Sequence, residues 1–129
     1  MDTKQIWANL AVKDLDRTTK FYTELGFKPN GQSKELTSFI IGDDNFVIHF
    51  FTKEQLGKFM PEISDLSTGN EIMFTLSAKN KGEVDEWAEA ARKAGGKIFL
   101  EPTTYEQGYT FSFSDPDGHK FNVLYWPGM

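Results

Sequence analysis

Cysteine is missing altogether from the 129 residues, which removes disulfides, thiolate metal sites and a cysteine nucleophile together and fits a reducing compartment. Basic residues are in the minority: 14 Lys and Arg stand against 19 Asp and Glu, for a net charge of −5, with no basic run. Such a chain lacks the cationic footprint that phosphate backbones require, so nucleic acid is not an expected partner. No apolar stretch approaches bilayer length, and the N-terminus, MDTKQIW, lacks the charged and apolar regions of a signal peptide. The expectation is a soluble, cytoplasmic chain with no membrane partner.

Several catalytic signatures are also missing. There is no HExxH and no Ser, His and Asp arrangement, and Gly42 and Gly95-Gly96 lack the spacing and strand-to-helix setting of a phosphate loop. The acids fall mainly in helices and loops, where solvent exposure is the default, so no carboxylate pair for acid and base work stands out. Their surplus over bases would favour a cationic ligand on approach. Histidine occurs only at 49 and 119.

What is present is a strongly patterned chain, 39% hydrophobic and 15% aromatic, enough for one domain spanning 1–129 with a real core. Ile6, Ala8, Leu10 and Val12 alternate with Trp7, Asn9 and Ala11, the pattern of a half-buried strand. Asp14 caps LDRTTKFYTELG, where Leu15, Thr18, Phe21, Tyr22 and Leu25 recur at helical spacing before Gly26. A short extended segment at 27–30, a strand at 35–41, a turn at Gly42-Asp43-Asp44-Asn45 and a strand at 46–51 complete a βαβββ order. The connector at 53–70 holds at most a short helix. The order then restarts, with a strand at 71–78, a helix at 84–94 ended by Gly95-Gly96, an extended piece at 97–100 and a strand at 109–114. Asp115-Pro116-Asp117-Gly118 then signals a hairpin turn, because Pro presets φ and Gly tolerates positive φ, and the alternating run from Lys120 to Trp126 closes the sheet.

The repetition can be checked by position. NLAVKD at 9–14 lies against TLSAKN at 75–80, and IGDDNFVIH at 41–49 against SDPDGHKFN at 114–122, the second copy having gained loop residues. The reading is therefore α+β, two paired βαβββ modules at about 5–52 and 71–127 joined by a linker at about 53–70, since neither half alone could cover its sheet. Analogy between the copies directs Ile6, Leu10, Ile48, Phe50, Phe74, Leu76, Phe121 and Val123 toward the helices. It leaves Trp7, Asn9, His49, Phe51, Met73, Thr75, Asn122, Leu124 and Trp126 on the opposite face, whose concave surface is the candidate ligand-binding site. His119, following a turn glycine, is expected at the surface and outside the site.

The paired modules, NLAVKDLDRTTKFYTELGF at 9–27 and FSDPDGHKFNVLYW at 113–126 resemble the vicinal oxygen chelate superfamily, also called the glyoxalase/bleomycin resistance/dioxygenase superfamily. The resemblance spans nearly the whole chain. It implies a curved, mostly antiparallel sheet around a central cavity, and a homodimer. In that family, glyoxalase I and the extradiol dioxygenases hold a divalent metal with four side chains, one from the first and one from the last strand of each module. Carried over by strand position, those places fall on Trp7, His49, Met73 and Asn122. Only His49 is a good ligand: indole cannot coordinate, a thioether is too soft for oxygen-loving ions, and a neutral amide is a poorer donor than a carboxylate. A slipped alignment would bring Asn9 or His119 nearer but reverse every strand face. No metal or other cofactor is expected, although His49 keeps a non-standard divalent-metal site open.

Three readings follow. One is a metal-free binder of a small aromatic or cationic molecule in an aromatic-lined cavity, similar to the bleomycin resistance members. Another is a diverged lyase, of the lactoylglutathione lyase kind, or an extradiol dioxygenase-like enzyme, with His49 as its catalytic residue. The last is an interaction module whose interior is filled by its own aromatic side chains. His49 itself reads either as a hydrogen-bonding pocket residue or as a satisfied histidine in an apolar strand.

Overall fold

The computed structural model describes residues 1–128. The chain forms two compact units, Met1–Ser64 and Asp65–Met129, and each unit carries one βαβββ module with its own four-stranded sheet.

In the first unit, β1 (Ile6–Val12) leads into α1 (Leu15–Glu24), followed by β2 (Lys28–Gln32), β3 (Leu36–Ile41), β4 (Phe46–Thr52) and a one-turn helix α2 (Lys53–Leu56). Asp14 caps α1 by accepting a hydrogen bond from the Arg17 N–H at 3.0 Å. The strand order is β1-β4-β3-β2; β1 and β4 run parallel, as the first and last strands of a βαβββ unit must when a helix carries the crossover, and the other pairs are antiparallel. Tyr22 of α1 stacks on Phe50 at 4.5 Å and lies 5.7 Å from Phe39, so Ile48 and Phe50, both wholly buried, face the helix. Each such ring contributes about 1.5–3 kcal/mol by leaving water. Ile6 departs from the pattern. It is 56% exposed, because it begins an edge strand beyond the cover of α1.

The second unit repeats the plan with β5 (Met73–Ser77), α3 (Lys81–Ala94), β6 (Lys97–Tyr105), β7 (Gly108–Ser114) and β8 (Lys120–Tyr125) in the order β5-β8-β7-β6. Val84, Ala88 and Ala91 form the buried stripe of α3, and the wholly buried rings of Phe111, Phe113 and Phe121 form a stacked column, with Phe113 and Phe121 5.3 Å apart and 9° from parallel. Phe74 adds to the column from β5. Two elements run beyond their expected bounds. Helix α3 starts three residues early, because Asn80 caps it by accepting from the Glu83 N–H while the Glu83 carboxylate accepts from Lys79 N–H. Strand β6 continues from Leu100 to Tyr105, since an edge position tolerates Pro102.

The hairpin turn is built on Asp115. One carboxylate oxygen, Oδ1, accepts from the backbone N–H groups of Asp117, Gly118 and His119 at 3.0, 2.9 and 2.8 Å. This clasp corrects the expectation for His119: the turn folds back so tightly that His119 is buried at 7% exposure, its carbonyl accepting from the Asp115 N–H.

Candidate functional site

Strand register, rather than alternation alone, determines which candidate residues are neighbours. In the first unit Asn9 is the register partner of His49 across the parallel β1–β4 pair, and His49 is the partner of Ser38 across the antiparallel β3–β4 pair. Trp7 and Phe51 share that face but lie in adjacent rows, Trp7 beside Val47 and Phe51 beside Ala11. Trp7 is half-exposed, while Phe51 is buried with the Phe59 ring 5.7 Å away and the His49 ring at the same distance. Burial pushes the His49 pKa below its ordinary 6.5, so the imidazole is neutral at pH 7 and offers one donor and one acceptor nitrogen.

In the second unit Thr75 partners Asn122 and Ser77 partners Leu124, while Met73 lies beside Lys120. The Asn122 amide oxygen accepts from the hydroxyls of Thr110 at 2.6 Å and Ser112 at 2.9 Å, both on β7. Leu124 and Trp126 are half-buried, and the Trp126 ring lies 6.3 Å from Tyr105. Met73 is half-exposed and Thr75 exposed. The hydroxyls of Ser38, Thr110 and Ser112 were not among the sequence candidates. Their signal is parity in β3 and β7, where each occupies the face turned from the helix, but pairing with His49 or Asn122 depends on a register that no local pattern fixes.

The four places that would hold the family metal do not suit one. Trp7 and His49 occupy different rows, as do Met73 and Asn122, and Met73 is paired with the ammonium-bearing Lys120. Among the described residues no group of three or more His, Cys, Asp or Glu comes together in a way that could hold a metal ion. A separate cleft of about 480 Å³ opens in the first unit between the start of α1, the β2–β3 turn and the end of β4, with Lys13, Thr19, Ser33, Thr37 and Thr52 in its walls. It contains none of the candidate residues and no aromatic side chain.

The model of the Glyoxalase/Bleomycin resistance protein/Dioxygenase superfamily matches residues 4–123. The chain belongs to this superfamily. Over 124 residues it is 32% identical to a probable lactoylglutathione lyase, chloroplastic, of Arabidopsis thaliana, a match covering 88% of this chain and 33% of that protein; the chain thus spans about a third of that relative's length. Among solved structures, it is similar to hypothetical protein SA1046 from S. aureus, with a TM-score of 0.84 and 30% identity, over 97% of this chain and 94% of the other. A glyoxalase-related enzyme from Fulvimarina pelagi shares the fold at a TM-score of 0.83 and 21% identity, over 95% and 87% of the two chains. Among the described residues no helix is long and apolar enough to cross a membrane.

Proposed function

We propose that this superfamily member binds a small, aromatic or cationic molecule on a sheet face turned away from the helix of its module, without the metal of its family's enzymes. The observation that carries this reading is the environment of His49: a single neutral imidazole whose row partners are Asn9 and Ser38 rather than carboxylates or further histidines, with the Trp7 and Phe51 rings in the adjoining rows. Such a face offers stacking area and a few orienting hydrogen bonds, which is the usual division of labour in a small-molecule site. The second sheet, taken by itself, presents Thr75, Asn122 and Leu124, with Met73 and Trp126, as the contacts proposed for a ligand on its own corresponding face. The net charge of −5 would favour the approach of a cation.

The test is a screen of aromatic cations and neutral aromatics by tryptophan fluorescence, repeated with Trp7→Phe and His49→Ala. Saturable quenching that is reduced in amplitude with Trp7→Phe and weakens in affinity with His49→Ala is the expected result. Binding unchanged in both variants would remove this face from the site. A lyase reading is favoured by the likeness to the probable lactoylglutathione lyase; metal-dependent turnover of a hemithioacetal, abolished by His49→Ala, would establish it in place of simple binding. A homodimer is supported by the half-exposed or more exposed Ile6 and Trp7 on edge strand β1 and Ile72 and Met73 at edge strand β5; a stable monomer in sedimentation would overturn that part.

A further inference from the structure

A single polar row crosses the whole first sheet on the face turned away from α1. Asn9 on β1 is the register partner of His49 on β4, which is the partner of Ser38 on β3, and Asn30 on β2 reaches the same row by donating from Nδ2 to the Ser38 Oγ at 3.1 Å. Asn30 can do so because the β2–β3 register shifts between Pro29 and Gln32, where Gly31 takes a φ of +101° open to glycine and strained for other residues. The rows on either side are apolar: Trp7, Val47 and Ile40 on one, Ala11, Phe51 and Leu36 on the other.

Folding alone gives this row little reason to exist. Ser38 is 3% exposed, and burying a hydroxyl is costly unless its hydrogen-bonding capacity is used. Its oxygen accepts from Asn30, yet among the described residues its O–H has no acceptor. Among the same residues the His49 imidazole has no hydrogen-bond partner, only the edge contact with Phe51. Directly opposed residues of an antiparallel pair hold their Cβ atoms roughly 4.5–5.5 Å apart, so one ligand group lying over Ser38 and His49 is within reach of both.

We propose that Ser38, His49 and Asn9, with Ser38 held in place by Asn30, read a ligand edge that both donates and accepts hydrogen bonds, as a carboxamide or lactam does, while the ligand's apolar body lies along the flanking rows. This rests on the binding reading above and narrows it to a chemical class. The Ser38 O–H requires an acceptor on the ligand, the acceptor nitrogen of a neutral imidazole requires a donor, and the Asn9 amide supplies one of each. No member of the row carries a fixed positive charge, so a carboxylate, with two acceptors and no donor, leaves the imidazole acceptor unmatched. Asn30 is a positioning residue, holding the Ser38 side chain so that its proton points away from β2.

The experiment is a ¹H–¹⁵N correlation titration of the full chain with benzamide, benzoate and toluene, each at millimolar concentration. Benzamide is expected to shift the Asn9, Ser38 and His49 resonances saturably, with benzoate and toluene weaker by about tenfold, which corresponds to ~1.4 kcal/mol. Ser38→Ala is expected to cost benzamide a similar factor and exposed Asn30→Ala a smaller one, with the rest of each spectrum superimposing on the parent. Benzamide bound equally by the parent and both variants, or benzoate bound as well as benzamide, overturns the row while leaving the face as a binding site if His49→Ala still weakens binding. Absence of any shift on this face with all three probes overturns both.

Discussion

Asn9 and His49 are register partners across the parallel β1–β4 pair, and this pairing places a neutral amide, not a second metal ligand, beside the only imidazole of the first module. A lone imidazole does not hold a divalent ion against water; chelation by three or four donors does. Protein incubated with Mn²⁺, Fe²⁺, Ni²⁺ or Zn²⁺ and then desalted is therefore expected to retain far less than one ion per chain by elemental analysis, with no change in melting temperature. Retention near one per chain, lost in His49→Ala, would show that donors outside this pattern complete a site.

Burial lowers the His49 pKa below 6.5, and this fixes the sign of a pH effect. Because the folded-state value is lower than the unfolded one, the unfolded chain binds more protons in the interval between them. The stability this contributes is complete above the unfolded value and is lost as pH falls through the folded value. Urea unfolding between about pH 7 and pH 5 should show a decline that is shallower in His49→Gln, and NMR titration of the imidazole should give a midpoint below 6.5. A midpoint at or above that value would contradict the half-buried, neutral imidazole, and with it the acceptor role assigned to His49.

The modules themselves are legible in the sequence because both their periods are strong: the alternation through Lys120–Val123 and the helical stripe of Thr18, Phe21 and Tyr22 correspond to observed burial, whereas the alternation of β1 does so at buried Val12 and not at exposed Ile6. The extra length of β6 is not legible, since an edge strand exposed on both faces, as most of Lys97–Tyr105 is, has no reason to alternate. The first turn of α3, Lys-Gly-Glu, likewise carries no apolar signal, and only the Asn80 and Glu83 pair marks it. The same limit applies to the site. Alternation puts Asn9, His49 and Phe51 on one face, but that Ser38 lies opposite His49, and that Asn30 bonds to Ser38, follows from long-range register and a bulge. His119 is misplaced by turn chemistry because a glycine turn ordinarily signals solvent, whereas three N–H groups converging on Asp115 draw this one inward.

A stabilising substitution follows from Thr18. Its side chain on α1 is wholly buried, and its Oγ1 has no hydrogen-bond partner among the described residues, so the hydroxyl has lost its water without replacement. Valine keeps the shape and has a similar helix propensity, so Thr18→Val removes the unsatisfied group while leaving the packing intact. Unfolding free energy is expected to rise by ~1 kcal/mol and the melting temperature by about 4 °C. The neighbouring Thr19 provides the contrast, because its hydroxyl bonds the Leu15 carbonyl at 2.7 Å and the Thr37 hydroxyl at 2.8 Å; Thr19→Val should destabilise by a comparable ~1 kcal/mol. Urea melts of the two variants thus move in opposite directions, and a loss of stability in Thr18→Val would mean that its hydroxyl is satisfied in solution, as by a buried water.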